Sequence, residues 1–581
     1  MPRMLRSRRV LFLLVAGGLL VPPALASAAA TPSAPTKNFH VTKTDLSPAR
    51  LYTSPYLSVD PSNPKVIVGV VAEFRSRRCH LVFTTNGGET WGVGQTLPAP
   101  DDYANCVWSN WAAQSAVGRN GHVYLAFTGW DDRDGGPRAG NMTMFVARTD
   151  DLGQSWQTTP VQTIRGKEGE AVEQHRPASL VVDRKSGSND IVYLSFNRTQ
   201  PNKVAPNQEP SRPMVAVSND GGRTFGNPID LSTGMFTDAV RREVFTSATT
   251  TTVSPTANTT TTTIPAAGSR AANPDQEANF GGSNPRLTMD DKGTVYAAWR
   301  NAQANVPNSR PVAPTTFVSV SSDKGKTWTT NKVTNYTVGS ASRIAWTKHG
   351  GENGTLAIVF GRNPTTTTSG NGDIMVQTST DQGKTWSEPK NITDDPPNAQ
   401  VAQFTPTLSA APNGRLDAAW WDIRDDPGIR ANDVYYAYSE DGGQTWSKNV
   451  RISDQPINRT FGVWAVNFDV VSPIGVASTN ELAVFAWDDT RNSAEDATST
   501  LNTDGFGGGV QDVFASTVQF EALGAGGMSK TAKIVLAAAG GLAIVAIALL
   551  LGSLALRKGQ PSTPKPAKKT DTEAPAKTGA K

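Results

Sequence analysis

Seven arginines occupy one recurring place in the chain. Each follows a short run rich in β-branched and aromatic residues: Arg75 after Val66–Glu73, Arg133 after Val123–Trp130, Arg198 after Ile191–Phe196, Arg300 after Val295–Trp299, Arg362 after Leu356–Phe360, Arg424 after Leu416–Trp421 and Arg491 after Leu482–Trp487. Aspartates accompany several of them, in Trp130-Asp131-Asp132-Arg133-Asp134, Trp421-Asp422-Ile423-Arg424-Asp425-Asp426 and Trp487-Asp488-Asp489-Thr490-Arg491. Glu168, Glu170 and Glu173 lie just before His175-Arg176-Pro177, and Arg286 stands in a similar place in a later unit. A guanidinium offers a planar fork that matches a carboxylate with two hydrogen bonds, so a gathered subset of these arginines would bind an acidic sugar. In the competing reading each arginine pairs with an aspartate of its own or the next unit, and recurs only because the unit recurs. The clustered aspartates are also hard oxygen ligands of the kind that hold Ca²⁺. No other cofactor is called for, and no Cys/His cluster has metal-ligand spacing.

What positions these residues is a repeat. An eight-residue phrase recurs six times, at Thr84–Trp91, Thr149–Trp156, Ser218–Phe225, Ser321–Trp328, Ser379–Trp386 and Ser439–Trp446. Its frame is Ser/Thr-x-Asp/Asn-x-Gly-x-Ser/Thr-aromatic. The acid or amide (Asn86, Asp151, Asp220, Asp323, Asp381, Asp441) can accept backbone N–H groups inside a tight turn. The glycine two residues on takes a backbone angle that other residues resist. The closing aromatic is an apolar anchor.

This frame resembles the Asp-box, or bacterial neuraminidase repeat, of sialidase-like β-propellers, over roughly residues 38–520. The resemblance implies four-stranded antiparallel blades and structural turns at the boxes, away from any catalytic centre. It also implies an exo-α-sialidase chemistry: an arginine triad for the sialic acid carboxylate, a Tyr nucleophile assisted by Glu, and an Asp acid/base. The family's Phe-Arg-Ile-Pro signature is absent. Phe74-Arg75-Ser76-Arg77 keeps the Phe-Arg pair but at the end of a second strand. No tyrosine is singled out as nucleophile. Tyr435, Tyr436 and Tyr438 read as packing residues of a third strand, while Tyr52, Tyr56 and Tyr103 lie near blade entrances and stay open.

Around each box the strands repeat as well. Asn284–Met289, Thr294–Trp299, Thr316–Val320 and the stretch near Asn331-Lys332-Val333 make one blade of four. The arginine-ended second strand occurs seven times, so the expected fold is all-β, a seven-bladed propeller, with six blades as the alternative and a C-terminal transmembrane helix. The seventh unit has a third strand, Asp512–Val518, but no box and no fourth strand. Lys37-Asn38-Phe39-His40-Val41 resembles the fourth strands Lys390-Asn391-Ile392-Thr393 and Lys448-Asn449-Val450-Arg451, so the first strand of the mature chain is expected to close the last blade. Closure removes two free sheet edges. Strand order then puts the boxes and the first-to-second turns on one face, and the arginines around the channel mouth on the other.

The two ends of the chain set its compartment. Residues 1–30 read as a secretory signal peptide: Arg3, Arg6, Arg8 and Arg9, then the apolar Val10–Leu20, then small residues suited to cleavage. Residues 31–522 form the exported propeller, with a Thr-rich insertion at 237–282 that reads as a disordered surface loop. A Gly-rich linker (523–533) leads to an apolar run (534–556) of roughly 34 Å as a helix, enough to cross a bilayer. The basic tail (557–581) stays inside, giving a single-pass plasma-membrane protein. The whole chain is formally +4; removing four signal-peptide arginines and the tail's net +5 leaves the body at −5, which argues against nucleic acid as a partner. The expected partner is a glycan or glycoconjugate, bound by a monomeric ectodomain. Two cysteines in an exported chain, Cys79 and Cys106, favour one disulfide. The leading function is a cell-surface carbohydrate-active protein of exo-α-sialidase type; the rivals are a non-catalytic glycan- or protein-binding propeller and a glycosidase using two carboxylates of the acidic loops.

Overall fold

Strands buried on both faces read as near-continuous apolar runs, and the second strand of each unit does so because a neighbouring blade covers each side of it. Ile67–Glu73, Thr355–Gly361 and Leu416–Asp422 are buried at every residue. The computed structural model describes residues 32–46, 50–97, 103–105, 114–131, 142–164, 174–199, 212–233, 280–303, 315–333, 343–362, 372–396, 401–426, 430–463, 472–493 and 509–520. They form seven antiparallel sheets, each built on four consecutive strand positions. Blade 4 is typical: Phe280–Met289 inside, then Val295–Gln303, Thr316–Ser321 and Thr329–Lys332 outside. Its inner strand begins at Phe280, so the expected insertion gives its last residues to the sheet. In blade 2 the inner strand comes in two pieces, Tyr103–Asn105 and Gln114–Val117, and blade 6 gains a short extra strand, Ile457–Asn458.

The apolar core lies in seven layers, one between each pair of neighbouring blades. Trp299, Trp420, Trp421 and Trp487 are fully buried in or beside them. Among the described residues no helix is long and apolar enough to cross a membrane, and residues 534–556 lie outside that set.

All six boxes make the same turn. In blade 4, Ser321 Oγ donates to Asp323, the Gly325 N–H donates to Ser321 Oγ at 3.0 Å, and Asp323 accepts from the N–H of Lys326 and Thr327 and from the Thr327 hydroxyl. Gly325 takes φ +79°, and a Cβ there would meet Val217 at 2.8 Å, so the tip packs on the preceding blade. The tips also touch the first-to-second turns: Gly87 N–H donates to Lys65 O, and Gly221 N–H to Asp190 O. The two kinds of turn therefore share a face, as strand order requires.

Closure uses the amino end. Phe39 pairs with Ala515 and His40 with Phe514, which makes Phe39–His40 the outer strand of blade 7. Asn38 then repeats the contacts of Asn449. Asn449 donates its N–H to Asp394 and its side-chain amide to Ile392 O, and accepts from the Asp394 N–H and from Arg424. Asn38 donates to Asp454 and Ile452 O, and accepts from the Asp454 N–H and from Arg491. One clasp thus joins blade 5 to 6 and blade 6 to 7, the second time across more than four hundred residues of sequence.

Two outcomes follow for stability. N38A and N449A should each cost about 1–3 kcal/mol in urea unfolding, and by similar amounts, because each strands the same donors and acceptors. The Asp323 carboxyl is held at about 2 against an ordinary 3.8, first by the Thr327 hydroxyl and then by the Thr327 N–H. A depressed carboxyl stabilises fully above its unfolded value, and that contribution fades as pH falls through the folded one. D323N should therefore flatten the loss of stability between pH 3.8 and 2 in acid-unfolding curves while keeping the turn at neutral pH, as Asn86 does in blade 1.

Candidate functional site

Each inner strand contributes one residue to a common level of the channel. Tyr56 faces Val70 in the sheet, Gln114 faces Ala126, Ser179 faces Ser195, Arg286 faces Ala298, Arg343 faces Val359, Thr407 faces Ala419 and Gly475 faces Ala486. Those partners are equivalent positions of the seven second strands. In blades 1, 3, 4 and 6 the register slips just before this level, between Thr53 and Tyr56, Pro177 and Ser179, Ser283 and Arg286, and Phe404 and Thr407. Pro55, Pro177, Pro285 and Pro406 sit at these slips. Proline has no N–H to give a ladder, so an inner edge strand takes it at a bulge, and the bulge re-aims the residue that follows. Ser54 and Thr405 hold positive φ at two of these bulges, 57° and 49°.

At this level the side chains meet. Arg286 of blade 4 donates from Nη1 to Tyr56 Oη of blade 1 at 2.6 Å, and from the same nitrogen to Ala178 O of blade 3. Its guanidinium carbon lies 5.8 Å from the centre of the Tyr56 ring. Arg286 and Arg343 are both buried. Burial, and then the charge of Arg343, push the Arg286 guanidinium down to about 9, while Tyr56 pulls it back up. Burial pushes the Tyr56 phenol up, but the charges of Arg286 and Arg343 and hydrogen bonds from Gln114 and Arg286 outweigh it and hold the phenol below its ordinary value. Two cations and an acidified phenol thus sit together, in a setting where charge–charge effects are strong.

This level floors a cavity of about 620 Å³ that all seven inner strands line. That volume falls within the range of small-molecule pockets. Toward the box side the wall carries Asp183, Arg184, Lys185, Asp290, Asp291 and Lys348.

The sequence-derived arginines fall in several places. Arg424 and Arg491 belong to the clasps. Arg424 bonds Asp422 of its own blade at 2.8 Å and Asp394 of the preceding blade at 2.8 Å, over the ring of Tyr435. Arg491 repeats this with Asp489 at 2.7 Å and Asp454 at 2.7 Å, over Phe514. Both therefore lie between outer strands and not around the channel mouth. Arg362 pairs with Asp373 of its own blade at 2.7 Å. Arg75 donates its N–H to Glu73. Arg176 and Arg300 are partly buried, and burial lowers both. Arg198 faces Arg212 at the end of its strand. Of the eight arginine candidates among the described residues, only Arg286 joins the channel cluster; Arg133 lies outside the described residues, as do Glu168, Glu170 and Glu173.

The remaining candidates separate by environment. Tyr52 donates to Asp45, and burial raises its phenol, the opposite of Tyr56. Tyr435 and Tyr436 donate to Asp425 and Asp417 within their blade. Among the described residues no group of three or more His, Cys, Asp or Glu forms a metal site, and Asp422 and Asp426 are engaged with Arg424 and with the Arg430 and Ala431 N–H groups. Cys79 is fully buried on the third strand of blade 1; Cys106 lies outside the described residues.

Arg343 and Gln114 are not singled out by the sequence, whereas Tyr56 stays open there as a tyrosine near a blade entrance. For Tyr56 a signal existed: proline immediately precedes it in Ser54-Pro55-Tyr56, as in Asn284-Pro285-Arg286 and Thr405-Pro406-Thr407.

Residues 347–467 match the model of a family described as BNR repeat-containing family member, and this stretch holds the fifth and sixth boxes. The described residues form a seven-bladed β-propeller, and the family match covers its residues 347–467 alone. No curated protein matches its sequence. Among solved structures it is similar to the α-L-arabinofuranosidase of Fusarium graminearum complexed with arabinobiose, at 12% identity and TM-score 0.40 over 66% of this chain and 92% of that one. It is similar to the α-L-arabinanase of Penicillium chrysogenum complexed with arabinobiose, at 12% identity and TM-score 0.40 over 67% and 94%. It is also similar to the Trypanosoma rangeli sialidase in complex with sialic acid, at 12% identity and TM-score 0.41 over 84% of this chain and 60% of that one. At these identities and scores the likeness carries no activity across.

The Tyr56 environment has a direct readout. In an ultraviolet pH titration one phenol should ionise below the ordinary tyrosine range near 10, and that component should vanish in Y56F.

Proposed function

We propose that this propeller is a carbohydrate-active protein that takes an acidic sugar into its channel, with Arg286 and Arg343 as the carboxylate forks. The observation that carries this reading is the convergence of two buried guanidiniums from neighbouring blades beside Tyr56, in a cavity of about 620 Å³ lined by all seven inner strands. A planar guanidinium binds a carboxylate through two parallel bonds. An arriving carboxylate would also relieve the mutual repulsion of Arg286 and Arg343, which the buried setting makes costly.

The depressed phenol of Tyr56 supports the hydrolytic form of this reading, an exo-α-sialidase-type reaction with Tyr56 Oη as nucleophile. The hydrogen bond from Arg286 to the same oxygen supports the alternative, a non-catalytic glycan-binding propeller in which Tyr56 only fixes the guanidinium. The reading extends to the whole chain: export by residues 1–30, a Cys79–Cys106 bridge at the seam of the first two blades, and anchoring by residues 534–556.

The test measures binding of N-acetylneuraminic acid by calorimetry and turnover of a fluorogenic sialoside. R286Q and R343Q should each weaken binding about tenfold or more, as loss of a charge-assisted pair does. If turnover is present, Y56F should abolish it and leave binding within about threefold, because the forks remain. Binding in the wild type without turnover selects the non-catalytic form, and unaltered binding in both arginine variants excludes the channel as the sugar site.

A further inference from the structure

We propose that Asp488 of blade 7 is a positioning residue of the channel: it fixes the Thr53–Pro55 bulge of blade 1 and so holds Tyr56 against Arg286. The contact it fixes does not depend on what the channel binds, whereas its bearing on function rests on the reading that the channel holds an acidic sugar.

The bulge needs a partner from outside its own sheet. Thr53 faces Ala72 and Tyr56 faces Val70, so Ser54 and Pro55 together stand opposite Val71. Ser54 takes φ 57° there, an angle that a residue with a side chain resists. Pro55 has no N–H to give. The Ser54 N–H turns to blade 7 and donates to Asp488 Oδ1 at 3.1 Å, and the Thr53 hydroxyl donates to Asp488 Oδ2 at 2.7 Å. All three residues are buried, so the bonds are made away from water.

Gln511 ties the carboxylate down further. Its side-chain nitrogen donates to Asp488 Oδ2 at 3.0 Å and to Tyr52 O at 2.9 Å, while its oxygen accepts from the Val463 N–H at 3.0 Å. Blade 7 also packs on the bulge directly. A Cβ on Gly475 would stand 2.9 Å from Pro55 O, so only glycine leaves the bulge where it is. Two residues beyond Ser54, Tyr56 Oη receives Arg286 Nη1 at 2.6 Å from across the axis. A relaxed bulge that moved this oxygen by about 1 Å would carry it out of hydrogen-bond range.

Asp488 is also a departure from the repeat. It stands two residues past Ala486, the sheet partner of Gly475 at the channel level. The corresponding residues of blades 1 to 6 are Ala72, Thr128, Asn197, Arg300, Gly361 and Trp421, with no acid among them. Val484 and Ala486, on the same side of the strand, sit in the apolar layer shared with blade 1. In blade 6 the place also reaches into the next blade, where Trp421 Nε1 donates to Ser472 O at 2.8 Å. A carboxyl is costly at such a buried place, and burial pushes Asp488 up to about 7 against the pull of Thr53 and Ser54. The bulge it holds accounts for an acid where the other blades carry none.

The test follows the low-ionising phenol by ultraviolet pH titration, with Y56F identifying the Tyr56 component. D488L removes every acceptor at similar size, and it should move that component up into or above the ordinary range near 10. D488N keeps an oxygen for the Ser54 N–H, and the Thr53 hydroxyl can turn to accept from its amide, so the component should stay low. N38A, which loosens blade 7 at its outer strand, should lower stability and also leave the component low. Where turnover of the fluorogenic sialoside is present, D488L should reduce it about tenfold or more with binding kept within about threefold, as displacement of Tyr56 alone requires. A D488L protein that folds and keeps the low component overturns the proposal. So does an N38A protein in which the component rises as it does in D488L. If D488L does not fold, T53V decides: loss of the hydroxyl bond should raise the component part-way, and an unchanged component overturns the proposal. If the component rises in D488L while the wild type neither binds N-acetylneuraminic acid nor turns over the sialoside, the positioning role stands and the sugar reading falls.

Discussion

Everything in this protein depends on the blade-to-blade seam. A four-stranded sheet with two apolar faces cannot stand in water, and each blade is stable only because a neighbour covers each face. Seven seams close only if the last blade is complete, and the chain completes it by pairing Phe39–His40 with its last strand. The clasp of Asn38 with Asp454 and Arg491 reproduces, bond for bond, the clasp of Asn449 with Asp394 and Arg424. A strand from the far end of the sequence thus occupies a place defined by the repeat.

The same seam divides the arginines into two populations. Those at the ends of second strands in blades 6 and 7 meet aspartates that the repeat supplies at fixed distance, and an aromatic of the third strand beneath them. Their charge is used between blades. The pair at the channel is different in kind. Arg286 and Arg343 stand on inner strands, seven of which converge here, and a side chain meets partners from blades far apart in sequence. Burial there lowers Arg286 and the two cations lower Tyr56, so the channel concentrates perturbed groups as functional sites do.

Bulges make that convergence possible. An unbroken inner strand would alternate its side chains between the two neighbouring seams. The slip before Tyr56, Ser179, Arg286 and Thr407 shifts that alternation at the channel level. Proline marks these places because the inner edge of a blade asks for no donor there. The cavity that the seven inner strands line is shaped by those slips.

The sequence by itself determined the architecture. Six boxes, seven arginine-ended strands and a first strand that reads like a fourth are local patterns, and each local pattern has one stable geometry: a turn held by Asp323-type acceptors, a strand covered on both sides, an edge that must be paired. It also marked Arg286, through its place at a blade entrance. What only the tertiary structure decided is which charged residues face one another. Arg424, at the end of a second strand, and Arg286, at a blade entrance, are both candidate sugar-binding arginines in the sequence, yet one is paired with aspartates at a seam and the other is desolvated beside Tyr56. That difference comes from distance in space between residues such as Tyr56 and Arg286, which are 230 positions apart. No periodicity within a blade encodes a contact made across the axis.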